Sequence, residues 1–149
     1  MRVNVAEVAP DAYKAMLGLE KYLAGSSLPK TTFELVKLRA SQINGCAYCV
    51  DMHAHDAKAA GETDERLFAV AAWREAPYFT DAERAALAFA ESATRLADHG
   101  HGVPDEVWDE AAAHYDEQTL AALIVAVSTI NAWNRIAVAT RAVAGSHRK

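Results

Sequence analysis

The sequence predicts an all-α fold of about six to seven helices in a single domain that spans residues 1–149. Apolar residues recur at steps of three and four along nearly every segment, which is the period of one helix face. Ala and Leu are abundant, and no stretch alternates between polar and apolar residues as a half-buried strand does. A chain of 149 residues is long enough to bury a core of its own.

Glycine, proline and candidate caps mark the first two helices. Pro10 opens a helix that runs to about Leu23, and the polar and glycine-containing segment 25–29 ends it. Thr31 or Thr32 can cap the second helix. Its apolar residues at three- and four-residue steps should face the core: Phe33, Val36, Ala40 and Ile43.

The second helix should end at residues 44–45, Asn and Gly, since both residue types adopt the left-handed conformation. A third helix then starts near Cys46 and ends before Gly61. Thr63 or Asp64 can cap a short fourth helix. The apolar residues of this short helix are Leu67, Val70 and Ala71.

The second half of the chain begins with a connector at residues 76–79. Thr80 followed by Glu83 resembles a capping box and predicts a helix that fades at residues 100–102. Its apolar residues are Leu87, Phe89, Ala90 and Leu96.

Two more helices complete the prediction. Pro104 suits the first turn of a short helix, and the last helix runs from about Asp116 to Val143. This last helix has a broad apolar face formed by Leu120, Leu123, Val127, Ile130 and Val138. The polar tail, residues 146–149, is expected to fray.

Charge and hydropathy exclude several classes of partner. The net charge of −5 argues against binding to nucleic acid or to anionic membranes, which favour basic surfaces. We find no apolar run of the length that spans a bilayer, and residues 1–7 lack the apolar stretch of a secretory signal. A cytoplasmic location is therefore expected, and there a close cysteine pair is more often redox-active or metal-binding than a structural crosslink.

The most informative feature is the spacing of Cys46, Cys49 and His53. Residues three and four apart share one face of a helix, so two thiols that can form a disulfide lie beside an imidazole. Cys46 begins a helix, where backbone N–H groups and the helix dipole lower a thiol pKa. Asp56 lies three residues beyond His53 and can orient its ring. Glu34 can approach the pair if the two helices pack as a hairpin.

Other interpretations of these residues stay open. Cys46, Cys49 and His53 could ligate zinc, but the chain has no second cysteine–histidine cluster to supply a fourth ligand. Two inert buried cysteines are a further alternative. Glu34 by itself is most simply a solvated helix-face carboxylate. The remaining histidines, at 55, 99, 101, 114 and 147, lack a partner pattern, and we expect the aromatic residues Tyr48, Trp73 and Trp133 in the core or an interface.

The segment from Glu34 to His53 resembles the core motif of the AhpD-like alkylhydroperoxidases, which belong to the carboxymuconolactone decarboxylase superfamily. It reads Glu, eleven residues, Cys-Ala-Tyr-Cys, three residues, His. Residues 130–138 also resemble the C-terminal helix of such proteins. The resemblance implies an AhpD-like helical bundle, peroxide reduction by Cys46 and Cys49, and a proton relay formed by Glu34 and His53. It also implies trimers or hexamers.

We therefore expect a thiol-dependent peroxidase that acts on hydrogen peroxide or organic hydroperoxides without a cofactor or metal. Cys49 attacks, Cys46 resolves, and an external dithiol or thiol protein restores the pair. One alternative is a general disulfide reductase or stress-response thiol protein, and another is a non-catalytic zinc-binding or oligomeric scaffold domain. A homo-oligomer is expected, and we favour a hexamer over a trimer. AhpD proteins carry His just before the second cysteine where this chain has Tyr48, so the resemblance does not fix the reductant or the peroxide.

Overall fold

The fold is described by a computed structural model that covers residues 1–98 and 100–148. These residues form eight α-helices and two short 3₁₀ turns, and they contain no strand, so the all-α prediction is confirmed. In chain order the helices are α1 (Val5–Val8), α2 (Pro10–Ala24), α3 (Lys30–Ile43), α4 (Ala47–Ala59), α5 (Asp64–Ala69), α6 (Asp81–Thr94), α7 (Asp105–His114) and α8 (Glu117–Thr140). The extra helix is α1, whose four residues are too few to show a helical period.

Helix α3 lies at the centre of the bundle and packs against α4, α6 and α8. Its residues Val36 and Ala40 are fully buried, as the sequence predicts, whereas Phe33 and Ile43 are only partly buried. The largest apolar cluster joins Val36 to Phe89 of α6 and Leu123 of α8. The packing of α3 against three other helices fixes the positions of the helices that hold the site residues.

The connection between α3 and α4 is a tight turn of residues 44–46. Gly45 has φ 64°, a left-handed conformation that glycine adopts without strain, and its amide bonds back to the Gln42 carbonyl. The turn reverses the chain at once, so α3 and α4 pack side by side as a hairpin. This is the arrangement that would allow Glu34 to approach the cysteine–histidine stripe.

Several predicted helix boundaries differ from the structure. The expected cap at Thr31 or Thr32 is wrong because α3 already begins at Lys30, after Pro29, and Thr32 is buried. Helix α6 ends at Thr94 because the Arg95 backbone leaves the helical region, so Leu96 is exposed. The capping box of Thr80 and Glu83 is confirmed, and Thr63 caps α5.

The C-terminal part also departs from prediction. Pro104 precedes α7 as its N-cap, one position earlier than expected. Helix α8 ends at Thr140, where Arg141 adopts a left-handed conformation, and Val138 is half exposed. The tail forms a 3₁₀ turn at Ser146–Arg148, which the Asp51 carboxylate holds by an ion pair with Arg148.

Helix α8 meets the length and hydropathy of a membrane span, which the sequence reading overlooked. It has 24 residues and a window of mean hydropathy 1.4. Yet Leu123, Ala126 and Ile130 are fully buried within the bundle, and so is the polar side chain of Asn134, which donates to Ser41 of α3. The apolar character of α8 is that of a core helix.

A buried carboxylate ties α6 to the centre of the bundle. Glu91 accepts hydrogen bonds from Arg39 of α3 at 2.7 Å, from Trp73 at 3.0 Å and from Arg74. Burial raises the pKa of Glu91, and the hydrogen bonds from two arginines and a tryptophan lower it by more, so the pKa lies below its usual value. The ionised form is therefore the one that stabilises the fold.

We expect Glu91→Gln to lower stability at pH 7 by about 2–4 kcal/mol, because it removes one partner of a buried charge network. A carboxyl with a lowered pKa stabilises the folded state above its unfolded pKa, and this contribution is lost as pH falls through the folded pKa. The wild-type Tm should thus drop below about pH 4, with a shallower drop in the variant. Thermal unfolding from pH 3 to 7 tests this, with exposed Glu65→Gln as control, and an unchanged Tm in Glu91→Gln at pH 7 would contradict it.

Candidate redox site

The two cysteines form a disulfide at the start of α4. Cys46 is the N-cap residue and Cys49 lies one turn further, with 5.3 Å between their Cα atoms. Both are almost completely buried. The Cys49 backbone N–H donates to Cys46 Sγ at 3.3 Å, so the sulfur occupies the place of a capping oxygen. This N–H and the helix dipole stabilise negative charge on Cys46.

His53 lies one turn beyond Cys49 on the same face of α4, and Glu34 of α3 holds its ring. His53 Nδ1 is 3.0 Å from Glu34 Oε2, and both side chains are buried. An ionised carboxylate only accepts hydrogen bonds, so Nδ1 carries the proton and donates it. The other ring nitrogen, Nε2, is buried and has no hydrogen-bond partner among the residues that the structure describes.

The sequence offers two carboxylates that could orient the His53 ring, Asp56 and Glu34, and Glu34 is the one within hydrogen-bond distance of it. Asp56 is exposed, three residues along α4. One ligand atom from each of Glu34, His53 and Asp56 lies within 4.8 Å of the others, so this group could hold a divalent cation. This group is not the cysteine–histidine zinc site considered from sequence. Cys46 and Cys49 form a disulfide here, so they offer no thiolate ligands.

The site opens on a cavity of about 500 Å³ between α2, α3, α4, α8 and the N-terminal segment. Cys49, His53 and Glu34 line this cavity, and Cys46 does not. Much of the wall is apolar or aromatic, from residues Val5, Tyr13, Leu17, Phe33, Tyr48, Met52, Trp133 and Ile136. Tyr48 and Trp133, expected in a core or interface, thus form part of the cavity wall.

A polar cluster that the sequence reading missed stands in the same wall. Lys37 Nζ is 2.8 Å from both carboxylate oxygens of Glu20, and Trp133 Nε1 donates to Glu20 Oε1 at 2.9 Å. Lys37 is 2% exposed, and its ammonium lies 4.4 Å from the centre of the Phe33 ring. The available signal was the three-residue step from Glu34 to Lys37, which places both on one face of α3.

Tyr48 closes the cavity next to the second cysteine, and burial raises the pKa of its hydroxyl, with Tyr13 adding to the effect. The phenol is therefore neutral at physiological pH. The His147 ring packs edge-on against Tyr48 with 5.6 Å between ring centres.

His55 and His114 pair with carboxylates one turn away on their own helices, and His99 lies outside the described residues.

Comparison with known proteins identifies the family. A model of the carboxymuconolactone decarboxylase family matches residues 10–92, and the chain belongs to this family. YdfG of Bacillus subtilis strain 168, an uncharacterized protein, is 43% identical over 138 residues, or 93% of this chain and 92% of YdfG. The resemblance inferred from the Glu34–His53 motif is therefore confirmed.

Solved structures agree with this assignment. ATU0492 of Agrobacterium tumefaciens, a protein of unknown function described as a candidate antioxidant defence protein AhpD, superposes with a TM-score of 0.91 at 39% identity, over 96% of this chain and 97% of that one. The debrominase Bmp8 shares the fold with a TM-score of 0.78 at 24% identity, over 92% of this chain and 73% of Bmp8. The bundle is thus an AhpD-like fold.

We expect the Cys46–Cys49 disulfide to be reversible, because the pair borders a cavity through Cys49 and is not enclosed on all sides. Protein reduced with dithiothreitol should take up two alkyl groups from iodoacetamide, and protein re-oxidised with peroxide should take up none. Mass spectrometry of the intact chain counts the groups. Two free thiols after peroxide treatment would contradict the prediction.

Proposed function

We propose that this protein is a thiol peroxidase that reduces hydrogen peroxide or organic hydroperoxides with the Cys46–Cys49 pair. The observation that supports this most directly is the position of Cys49. Its side chain lines a cavity beside His53, whose Nε2 is free to accept a proton, while Cys46 lies behind it. A reactive thiol needs a path for the substrate and a base, and Cys49 lines the cavity one helical turn from His53.

The oxidative step needs only groups that the site supplies. In the reduced enzyme His53 Nε2 takes the Cys49 proton, and Glu34 stabilises the imidazolium through Nδ1. The Cys49 thiolate attacks one peroxide oxygen, an S–O bond forms, and the O–O bond breaks. The proton held on Nε2 goes to the departing oxygen, which leaves as an alcohol, or as water from hydrogen peroxide. Cys49 is then a sulfenic acid.

The second step closes the disulfide. Cys46 Sγ attacks Cys49 Sγ, the S–S bond forms, and the hydroxyl leaves as water with the Cys46 proton. An external dithiol then attacks the cysteine that lines the cavity, Cys49, and Cys46 leaves as a thiolate; the second thiol of the reductant then releases Cys49. The Cys49 N–H at 3.3 Å and the helix N-terminus stabilise the Cys46 leaving group, which favours its departure. The cavity lining and the helix electrostatics therefore support different roles for the two cysteines in this proposal.

The experiment that tests this function is a dithiothreitol-coupled assay with hydrogen peroxide and cumene hydroperoxide. We expect turnover by wild type and none by Cys49→Ser. His53→Gln and Glu34→Gln should each lower kcat/KM by about 10²–10⁴-fold, the range of a positioned acid–base group. The loss of kcat/KM should be smaller in Glu34→Gln than in His53→Gln, because His53 keeps Nε2 and loses only the carboxylate that bonds to Nδ1.

Controls separate chemistry from folding. Lys58→Gln changes an exposed side chain of the same helix that does not line the cavity, and it should leave turnover unchanged. Circular dichroism should show the same helix content in all variants. Full activity of His53→Gln would remove the residue from the mechanism. Reduction of a small disulfide such as hydroxyethyl disulfide with no hydroperoxide turnover would favour the reductase alternative. Stoichiometric zinc in purified, reduced protein would favour the scaffold alternative.

We also propose a cytoplasmic homo-oligomer, with a hexamer favoured, that is re-reduced by a dithiol or thiol protein. Several large apolar side chains of α2 and α8 are exposed in the single chain: Leu17, Leu19, Tyr22, Ile124 and Val138. Exposed apolar surface of this kind is typical of subunit contacts when it is contiguous. This assembly would cover apolar surface that a monomer leaves in water.

Sedimentation equilibrium at micromolar concentration tests the assembly. We expect a mass near six times the 16.1 kDa of one chain. Tyr22→Lys, which places a charge on the exposed part of α2, should shift the equilibrium toward smaller species. Glu7→Lys, an exposed charge change on α1, is the control and should leave the mass unchanged. A stable 16.1 kDa monomer would contradict the proposal.

A further inference from the structure

The size of the cavity exceeds what hydrogen peroxide requires. A volume of about 500 Å³ lies in the range of sites for drug-sized ligands. Its aromatic side chains come from four helices: Tyr13 from α2, Phe33 from α3, Tyr48 from α4 and Trp133 from α8. The rings of Tyr13 and Trp133 stack edge-on with 5.2 Å between centres. Such a wall gains most from an apolar or aromatic ligand, which displaces poorly held water.

The cavity wall has more acidic than basic side chains. Among the described residues the cavity is lined by three side-chain carboxylates, Glu20, Glu34 and Asp56, and by one cationic side chain other than histidine, Lys37; Met1, which bears the N-terminal amino group and is 69% exposed, also lines it. The Lys37 ammonium is not available as an anion site, because Glu20 covers it with both oxygens at 2.8 Å and Phe33 lies against it. Glu20 thereby neutralises the one lysine or arginine side chain of the wall that could attract a substrate carboxylate.

We propose that this cavity selects neutral aromatic or branched-alkyl hydroperoxides over anionic ones, and that Glu20 is the specificity-determining residue because it masks Lys37. The proposal rests on the peroxidase function above and names its substrate class. An anionic ligand would meet Glu34 and Asp56, and the one cationic side chain near them, Lys37, is already paired with Glu20. A neutral ligand meets the same aromatic wall without that repulsion.

Binding of unreactive probes tests the selectivity apart from turnover. The matched probes are 4-isopropylbenzyl alcohol and 4-isopropylbenzoate, which share a skeleton and differ in charge. By calorimetry with oxidised wild-type protein at pH 7, we expect the alcohol to bind at least about tenfold more tightly, a difference of 1.4 kcal/mol. Equal affinities, tighter binding of the benzoate, or no binding of the alcohol at millimolar concentration would overturn the proposal.

Glu20→Gln tests the masking of Lys37. It keeps the side-chain shape, retains an acceptor for Trp133 and leaves the ammonium unneutralised, so benzoate affinity should rise by about tenfold. Alcohol affinity should change less than threefold. In the double variant Glu20→Gln with Lys37→Met both charges are gone, so the gain for benzoate should disappear. A benzoate affinity that does not rise in Glu20→Gln, or that rises equally in the double variant, would overturn the role of Glu20.

Glu20→Gln leaves a buried ammonium without its counter-ion and can unfold the protein. Asp56→Asn, at an exposed position of the same wall, keeps the proposal testable in that case. It should raise benzoate affinity about threefold and leave alcohol affinity unchanged, and no rise would overturn the electrostatic argument. Turnover of cumene hydroperoxide is measured separately. Its absence alongside the expected probe selectivity would overturn the peroxidase function and keep the binding preference.

Discussion

The hydrogen bond between His53 and Glu34 is the interaction on which the site depends, and the turn at residues 44–46 makes it possible. The turn is short enough that α4 reverses directly along α3, so residues 19 apart in sequence meet at 3.0 Å. Gly45 has φ 64°, and a Cβ there would meet no atom within 4 Å. A residue with a side chain would therefore be disfavoured by the backbone conformation alone. The turn also makes Cys46 the N-cap of α4.

Helix α3 carries three charged side chains that each pair with a residue of a neighbouring helix. Glu34 bonds to α4 through His53, Lys37 bonds to α2 through Glu20, and the partly buried Arg39 bonds to α6 through Glu91. Each pair removes charges from water, so none is strong evidence of net stability. Loss of either partner, however, would leave an uncompensated charge inside the bundle. A packing that separated these pairs would be disfavoured for that reason.

Sequence reasoning succeeded where the determinants are local. The steps from Cys46 to Cys49 and to His53 lie within one helix, where the spacing fixes the shared face. Glu34 required one further assumption, that the two helices form a hairpin. The cavity could not be predicted because its walls come from distant segments: Glu20 and Trp133 are 113 residues apart and bond at 2.9 Å. Apolar periodicity identifies a buried face but does not say whether a core or a cavity lies opposite, as Tyr48 and Trp133 illustrate.

The two-residue spacer in Cys-Ala-Tyr-Cys follows from a conflict between two requirements of the proposed chemistry. A thiolate that is to leave easily benefits from the N-cap position, where backbone N–H groups point at the sulfur. That position lies outside the cavity wall here, because Cys46 is not among the residues that line it. A thiol that is to attack needs access and a base, which Cys49 obtains from the cavity and from His53. One turn of helix separates these environments and still holds the Cα atoms 5.3 Å apart, within the range of a disulfide.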